Sequence, residues 1–311
     1  MKKFFTRTVN VWLLAALCCL LWGSAFPAIK RGYALFEIAA EDTATIILFA
    51  GIRFALAGFL TVLAASLLQR KALLPTRKSL KKIGVLSLFQ TVLQYVFFYL
   101  GLAFTTGARG SVINGTSVFF ALLISSLLFK MEKLRLSKII GCLVGFAGVV
   151  LVSLDAFVST GGSFIGEAFI LLSSIAYAFS SVFMKRYTED DNPAMLSGWQ
   201  FMLGGVVMCV AGLCCGGRLT AVSGAGIALL LYLSFLSAAA YTLWSVLLKY
   251  NPVSKVAVCG FMIPVFGFIL SSLFAGEGEK TGLLSLAALL LVAVGMVIVN
   301  ADITAKKANK L

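Results

Sequence analysis

Catalysis and metal binding need groups that trade protons, coordinate cations or hold charge, and this sequence lacks most of them. It contains no histidine, the commonest metal ligand and general base near neutral pH. The seven cysteines (Cys18, Cys19, Cys142, Cys209, Cys214, Cys215 and Cys259) all stand in apolar stretches, in odd number and without a C-x-x-C pair. That usage speaks against a zinc site and a disulfide framework, so neither metal nor cofactor is expected. Glu132, Glu277 and Glu279 lie in or near polar breaks, and Glu167 stands near the start of an apolar run. No carboxylate occupies the middle of such a run, which speaks against paired-acid chemistry and against proton coupling through a buried acid.

What remains is neutral and polar, and it recurs at helical spacing. Ser87, Gln90 and Gln94 share one face, continued by Phe98; Ser111 and Asn114 share another, with Thr116 and Ser117 beside them. Ser173, Tyr177, Ser180 and Ser181 form a third stripe, and Ser234, Ser237, Tyr241 and Ser245 a fourth. Residues three, four and seven apart line one side of a helix, so four helices with a polar stripe each predict a shared polar cavity. Serine and threonine also bond their own backbone or glue neighbouring helices, which is the plainer role for any one of them. The amides of Gln90, Gln94 and Asn114 carry donors and acceptors that need partners and are candidates for solute contact. Tyr95, Tyr177, Tyr241 and Trp244 are candidates for an aromatic wall, against the commoner role of core or lipid-belt aromatics.

The elements that hold these residues follow from composition. Of 311 residues, 60% are hydrophobic and only 12% charged, against about 25% charged in an ordinary soluble domain. A soluble globule would lack the polar groups to cover its surface. The apolar runs predict an all-α membrane protein with ten transmembrane helices, at 10–29, 44–68, 83–104, 108–129, 137–154, 164–184, 194–216, 223–248, 255–275 and 282–301, each near the length a bilayer requires. The first run, preceded by Lys2, Lys3 and Arg7, is read as a retained helix rather than a cleaved signal. With both termini in the cytoplasm, twenty of the 26 basic residues fall in inside segments and five outside, with Arg53 within a span. An even span count is what yields this bias. The net charge of +14 is thus an address relative to the lipid bilayer, not a sign of nucleic acid.

The chain also repeats itself. Gly51-Ile52-Arg53-Phe54 through Gly58 returns as Gly198-Trp199-Gln200-Phe201 through Gly205, and at nearly the same displacement Tyr95 matches Tyr241 and Phe98 matches Trp244. Ser125-Ser126-Leu127 matches Ser271-Ser272-Leu273, Gly148-Val149-Val150 matches Gly295-Met296-Val297, and Lys30-Arg31 corresponds to Lys185-Arg186. Two units are expected, residues 1–154 and 155–311, each of five helices. Five is odd, so the second unit crosses the membrane in the opposite sense, the inverted-repeat plan of many secondary transporters. Arg53 is read as structural, tying helix ends through backbone carbonyls, because Gln200 replaces it in the second unit; anion recognition is the other reading. Gly141 and Gly145, with Gly148 a turn on, suit close helix packing, either with helix 10 of the same chain or in a homodimer.

These features resemble the EamA-like group of the drug/metabolite transporter superfamily over nearly the whole chain. The matching motifs are Trp22-Gly23-Ser24-Ala25-Phe26, Arg53-Phe54, Glu132 followed by Gly141 and Gly148, Pro264-Val265-Phe266, and Gly276-Glu277. Ser117-Val118 replaces the proline expected in helix 4, and Glu277 and Glu279 compete for the second acidic position. The resemblance implies a central cavity among helices 1, 3, 4, 6, 8 and 9, with helix 2 outside it, and adds Trp22 and Ser24 to the cavity candidates. Pro264 and glycines of helices 4 and 9 are candidate bending points.

The expected function is a secondary transporter or facilitator in a cell membrane (plasma or inner), exporting or exchanging small organic metabolites by alternating access. Amino acids or related compounds are one candidate class. No G-x-x-x-x-G-K-[ST] loop provides for ATP. The alternative, an intramembrane enzyme acting on lipids or lipid-linked groups, would need a buried catalytic cluster that the sequence does not offer.

Overall fold

In hydrocarbon every backbone N–H and C=O must find a partner within the protein, and a helix provides one inside a single segment. The computed structural model describes residues 2–39, 41–104, 110, 113–158, 163–275 and 281–308. Among them all regular structure is helical. A short Lys2–Thr6 helix precedes α1 (Thr8–Leu35), α2 (Thr43–Gln69), α3 (77–104), α4 (Ile113–Leu128) and α5 (Leu136–Val158). Then come α6 (Phe164–Tyr187), α7 (Pro193–Cys214), α8 (Gly224–Tyr250), α9 (253–275) and α10 (Thr281–Ala308). Six helices, α1, α2, α3, α6, α7 and α8, are long and apolar enough to cross a membrane. Shorter apolar segments, of 10–17 residues, occur in α4, α5, α9 and α10. Ser111, Arg109, Gly276, Glu277 and Glu279 lie outside the described residues.

Local chemistry sets the helix ends. The Asp42 carboxylate accepts from the Thr45 N–H at 2.9 Å to open α2, and Arg70 in the left-handed region (φ 49°) closes it. Asn192 accepts from the N–H groups of Ala194 and Met195, and Pro193 takes the first turn of α7, where a missing N–H costs nothing. Inside three helices the winding changes: α3 carries a π segment at Ser87–Leu93, α4 one at Ile124–Leu128, and α9 a 3-10 segment at Val258–Phe261. Pro264 has no N–H to give the Gly260 carbonyl, so α9 tightens at Val258–Phe261, one turn ahead of the expected bend.

Small residues decide the packing. Where α2 crosses α7, a Cβ on Gly205 would stand 2.3 Å from the Ala55 nitrogen, and one on Gly58 would stand 2.4 Å from the Met202 nitrogen and 2.5 Å from the Gly198 carbonyl oxygen. Gly51 in turn faces the Gly205 carbonyl. Without a hydrophobic force between helices in lipid, such close backbone approach is what holds them. α5 meets α10 in the same way: Gly141 faces Gly295 and Val299, and Gly148 faces Ala288. The glycine stripe of α5 is therefore occupied within the chain. The remaining pairings are matched between the halves: α1 packs on α8 and α9, and α6 on α3 and α4.

Gly205→Ala should therefore lower the thermal midpoint of the detergent-purified protein, at a cost of about 1–3 kcal/mol for overpacking. Gly84, beside which a Cβ would meet nothing within 4 Å, is the control. Gly84→Ala should leave the midpoint unchanged or raise it, because alanine favours helix.

Candidate functional site

Residues at matching positions of the two halves meet face to face at the centre of the bundle. The rings of Phe54 (α2) and Phe201 (α7) stack at 5.2 Å and 12°. Beside them the hydroxyls of Tyr95 (α3) and Tyr241 (α8) share a hydrogen bond of 2.7 Å. Tyr95 packs on Phe54 at 4.3 Å and Tyr241 edge-on against Phe201 at 4.8 Å. A two-fold relation between the halves would run through both pairs. Away from this axis the second contacts of the same positions also correspond: Arg53 Nη2 donates to Ser237 Oγ at 2.9 Å, while Gln200 Oε1 accepts from Thr91 Oγ1 at 2.8 Å.

A cavity of about 670 Å³ opens on one side of the tyrosine pair. Its wall includes Trp22 and Tyr33 from α1, Gln94, Tyr95 and Tyr99 from α3, Asn114 from α4, Tyr177 from α6, Tyr241 from α8 and Pro264 from α9. Glu41, from the connection before α2, and Thr43 and Phe104, at the ends of α2 and α3, also line it. Trp22 sits edge-on to Tyr241 at 4.8 Å and to Trp244 at 5.0 Å. Aromatic and aliphatic side chains together thus supply most of the lining, and a few amides and hydroxyls supply direction, the usual make-up of a small-molecule site.

Seven of the sequence-based cavity candidates line this space: Trp22, Gln94, Tyr95, Asn114, Tyr177, Tyr241 and Pro264. Five do not. Ser24 donates its hydroxyl to the Leu21 carbonyl and shares a second bond with the hydroxyl of Tyr232 of α8, joining two helices. Thr116 and Ser180 bond the carbonyls of Ile113 and Tyr177, back along their own helices. Trp244, 2% exposed, supports Trp22 from behind. Gln90 is buried away from the cavity, its Oε1 without a partner. Gln90 lies inside the π segment at Ser87–Leu93 and Gln94 just beyond it, and of the two only Gln94 reaches the cavity.

Arg53 departs from expectation in the other direction. Helix α2 does not stand outside the cavity, since Thr43, Ile46 and Arg53 all line it. The Arg53 side chain does not tie helix ends; it is 2% exposed, bonded to Ser237 through Nη2, and its Nε and Nη1 have no hydrogen-bond partner. Its guanidinium also lies 5.0 Å from the Phe54 ring centroid. Tyr33 and Tyr99, which interact with each other and the second of them with Arg53, escaped the sequence reading because neither belongs to a polar stripe. Glu167, in the first turn of α6, does not line the cavity.

The other side of the tyrosine pair is closed by polar contacts, of which those of Glu132 with Ser254, of Asp191 with Ser79 and Lys82, and of Asn251 with Phe5 cross between the halves and the rest brace each half from within. Glu132, between α4 and α5, is ion-paired with Lys138 and hydrogen-bonded by the Ser254 hydroxyl; its Oε1 accepts from Ser125 at 2.9 Å and from the Ser254 N–H at 3.0 Å. Asp191, between α6 and α7, accepts from Lys82 and Ser79 of α3, both at 2.7 Å. Lys185 and Lys249 donate to the backbone at Lys249 and Asp191, and Asn251 to Phe5 at 2.8 Å. Deeper in, Ser197 and Ser245 share a buried bond of 2.8 Å. Burial raises the Glu132 pKa, but the Lys138 charge and the bonds from Lys138 and Ser254 outweigh it and hold the carboxyl below its ordinary value.

A model of the EamA-like transporter family matches the chain twice, over residues 10–154 and 164–301. The chain is 30% identical to the "Uncharacterized transporter YvbV" of Bacillus subtilis, over 97% of its own length and 94% of the relative's. It is 27% identical to an "Uncharacterized transporter" of Archaeoglobus fulgidus, over 86% and 90% of the two chains. The "Uncharacterized inner membrane transporter YedA" of Escherichia coli is 30% identical over 65% of this chain and 62% of that protein. A crystal structure with 18% identity superposes with a TM-score of 0.76 over 94% of this chain and 98% of the other, a likeness of fold alone.

A carboxyl whose pKa is lowered by folding stabilises the folded state above its unfolded value and loses that contribution as pH falls through the folded value. Glu132→Gln leaves the Lys138 ammonium, at 6% side-chain exposure, buried without its counter-charge. At pH 7 it should cost about 3–5 kcal/mol, read as a lowered thermal midpoint. The gap between variant and wild type should narrow progressively below the ordinary glutamate value of 4.5.

Proposed function

The chain belongs to the EamA-like transporter family, and on that premise we propose that it moves small organic solutes across a cell membrane by alternating access between two inverted five-helix repeats, 1–154 and 155–311. The observation that carries this reading is one-sidedness about a two-fold seam. Matched residues, Tyr95 with Tyr241 and Phe54 with Phe201, meet at the centre, yet a cavity of about 670 Å³ lies on one side and a set of ion pairs and hydrogen bonds on the other. If the halves are kindred, exchanging their conformations closes the first side and opens the second at similar energy. The double match of the family model and the matched helix pairings support two such repeats.

The shorter apolar segments in α4, α5, α9 and α10 complete a ten-span arrangement, and the closed end carries the lysine-rich connections. By the positive-inside rule that end faces the cytoplasm, with both termini. The conformer described here is then open outward. Solute enters among Glu41, Thr43 and Phe104, settles against the amides and rings of the cavity, and leaves inward when the Glu132 and Asp191 contacts part. Export runs the same cycle in reverse.

Accessibility of the cavity from each face tests the cycle. Ile263 lines the cavity, and Ile263→Cys in a background with Cys209, Cys214 and Cys215 replaced by serine should react with a membrane-impermeant thiol reagent from outside. Adding Glu132→Gln should shift reactivity toward the cytoplasmic face by about tenfold or more, since it weakens the charge-assisted bonds from Ser254 that join the halves when this end is closed. Reactivity from one face only, in both proteins, refutes alternating access. Uptake of labelled metabolites by reconstituted vesicles, without product formation, separates transport from lipid-directed catalysis.

A further inference from the structure

The guanidinium of Arg53 is the least explained charge in the molecule. It lines the cavity, is 2% exposed, and its polar neighbours are neutral: Ser237, to which Nη2 donates, and the phenol of Tyr99. No ion pair reaches it among the described residues. A buried cation without a counter-charge is costly, and the matched position Gln200 shows that the fold accommodates a neutral side chain there: Gln200 is fully buried, and its Oε1 is bonded to Thr91. Packing therefore does not require an arginine.

We propose that Arg53 is the anion subsite of the cavity and that the transported solutes carry a carboxylate on an apolar or aromatic body. Guanidinium geometry supports a planar two-oxygen partner. Nη2 bears two hydrogens and Ser237 takes one; the other forms a fork with Nε or with Nη1, both unpartnered. Such a fork matches the two oxygens of a carboxylate. Trp22 Nε1, a further unpartnered donor, lines the same cavity, whereas Gln94 Oε1 is its unpartnered acceptor. Most of the remaining wall is aromatic or aliphatic, with Phe98, Tyr99 and Ile29 offering surface to a ring or alkyl chain. One positive charge at the bottom of an apolar cleft favours a single carboxylate over a multiply charged ester, because additional anionic charge would stay unpaired in a low dielectric.

The inference rests on the transporter reading but fails separately from it. Full-length protein in detergent is titrated with 3-phenylpropanoate and hexanoate, and with their neutral isosteres 3-phenylpropanamide and hexanamide. Tryptophan fluorescence and the shift in thermal midpoint report binding. At least one carboxylate should bind about tenfold or more tightly than its amide, as expected when a charge-assisted bond replaces a neutral one. Arg53→Gln should abolish that preference, and Arg53→Lys should restore part of it as a point charge. Equal binding of acid and amide, no binding by any member of the panel, or a preference that survives Arg53→Gln overturns the proposal. Should Arg53→Gln not fold, the wild-type comparison and the lysine variant decide the matter. Ile263→Cys reactive from both faces without carboxylate preference sinks the subsite and leaves the cycle standing; preference with reactivity from one face does the reverse.

Discussion

One hydrogen bond, between the phenols of Tyr95 and Tyr241, fixes where the two halves of this bundle meet. Tyr95, half-buried, and Tyr241, buried, each pack on a phenylalanine of their own half, and those two phenylalanine rings stack on one another. Four aromatic side chains therefore form a plug that neither half can build alone. In lipid the alternative for each hydroxyl is an apolar surrounding, so the pair is held more firmly than it would be in water. Every feature of the cavity is laid out relative to this plug: open space and unpartnered polar atoms on one side, paired charges on the other.

The helices around it are held by two kinds of contact. α2 against α7 and α5 against α10 are glycine seams, with backbones too close for any Cβ. These seams are rigid and lie to the sides of the cavity. The contacts that cross between halves at the closed end are of another kind, between charged or hydroxyl groups on short connections: Glu132 with Ser254, Lys82 with Asp191. Ion pairs at a bundle end exchange for water at modest cost when they part, whereas a glycine seam offers no intermediate arrangement. Stiff sides with a separable end are what a gated cavity requires.

Helical spacing located much of the cavity in advance. Gln94, Asn114, Tyr177 and Tyr241 are on its wall because stripes of polar residues in apolar helices have few other places to go. The same spacing set Gln90 beside Gln94, but packing buries Gln90 away from the cavity. For most of the serines the plainer role, bonding a backbone carbonyl, is the one seen. Ser173, Ser180, Ser234 and Ser245 all bond backbone carbonyls, and only the neighbours of each hydroxyl distinguish glue from binding. Tyr33 and Tyr99 went unnoticed because a single aromatic among apolar residues carries no periodic signal.

Composition and the order of apolar runs were enough to fix the solvent and the helical class, because each depends on sums or on order along the chain. Those quantities survive without coordinates. The role of Arg53 did not. In the sequence it is a charge with a neutral counterpart at Gln200, equally suited to bracing a helix end or facing a solute. Only the packing of α2 against α8 turns its Nη2 to Ser237 and leaves Nε and Nη1 unpaired at the wall of a cavity. That outcome depends on distances between residues far apart in the chain, and it was decided when the helices closed around the tyrosine pair.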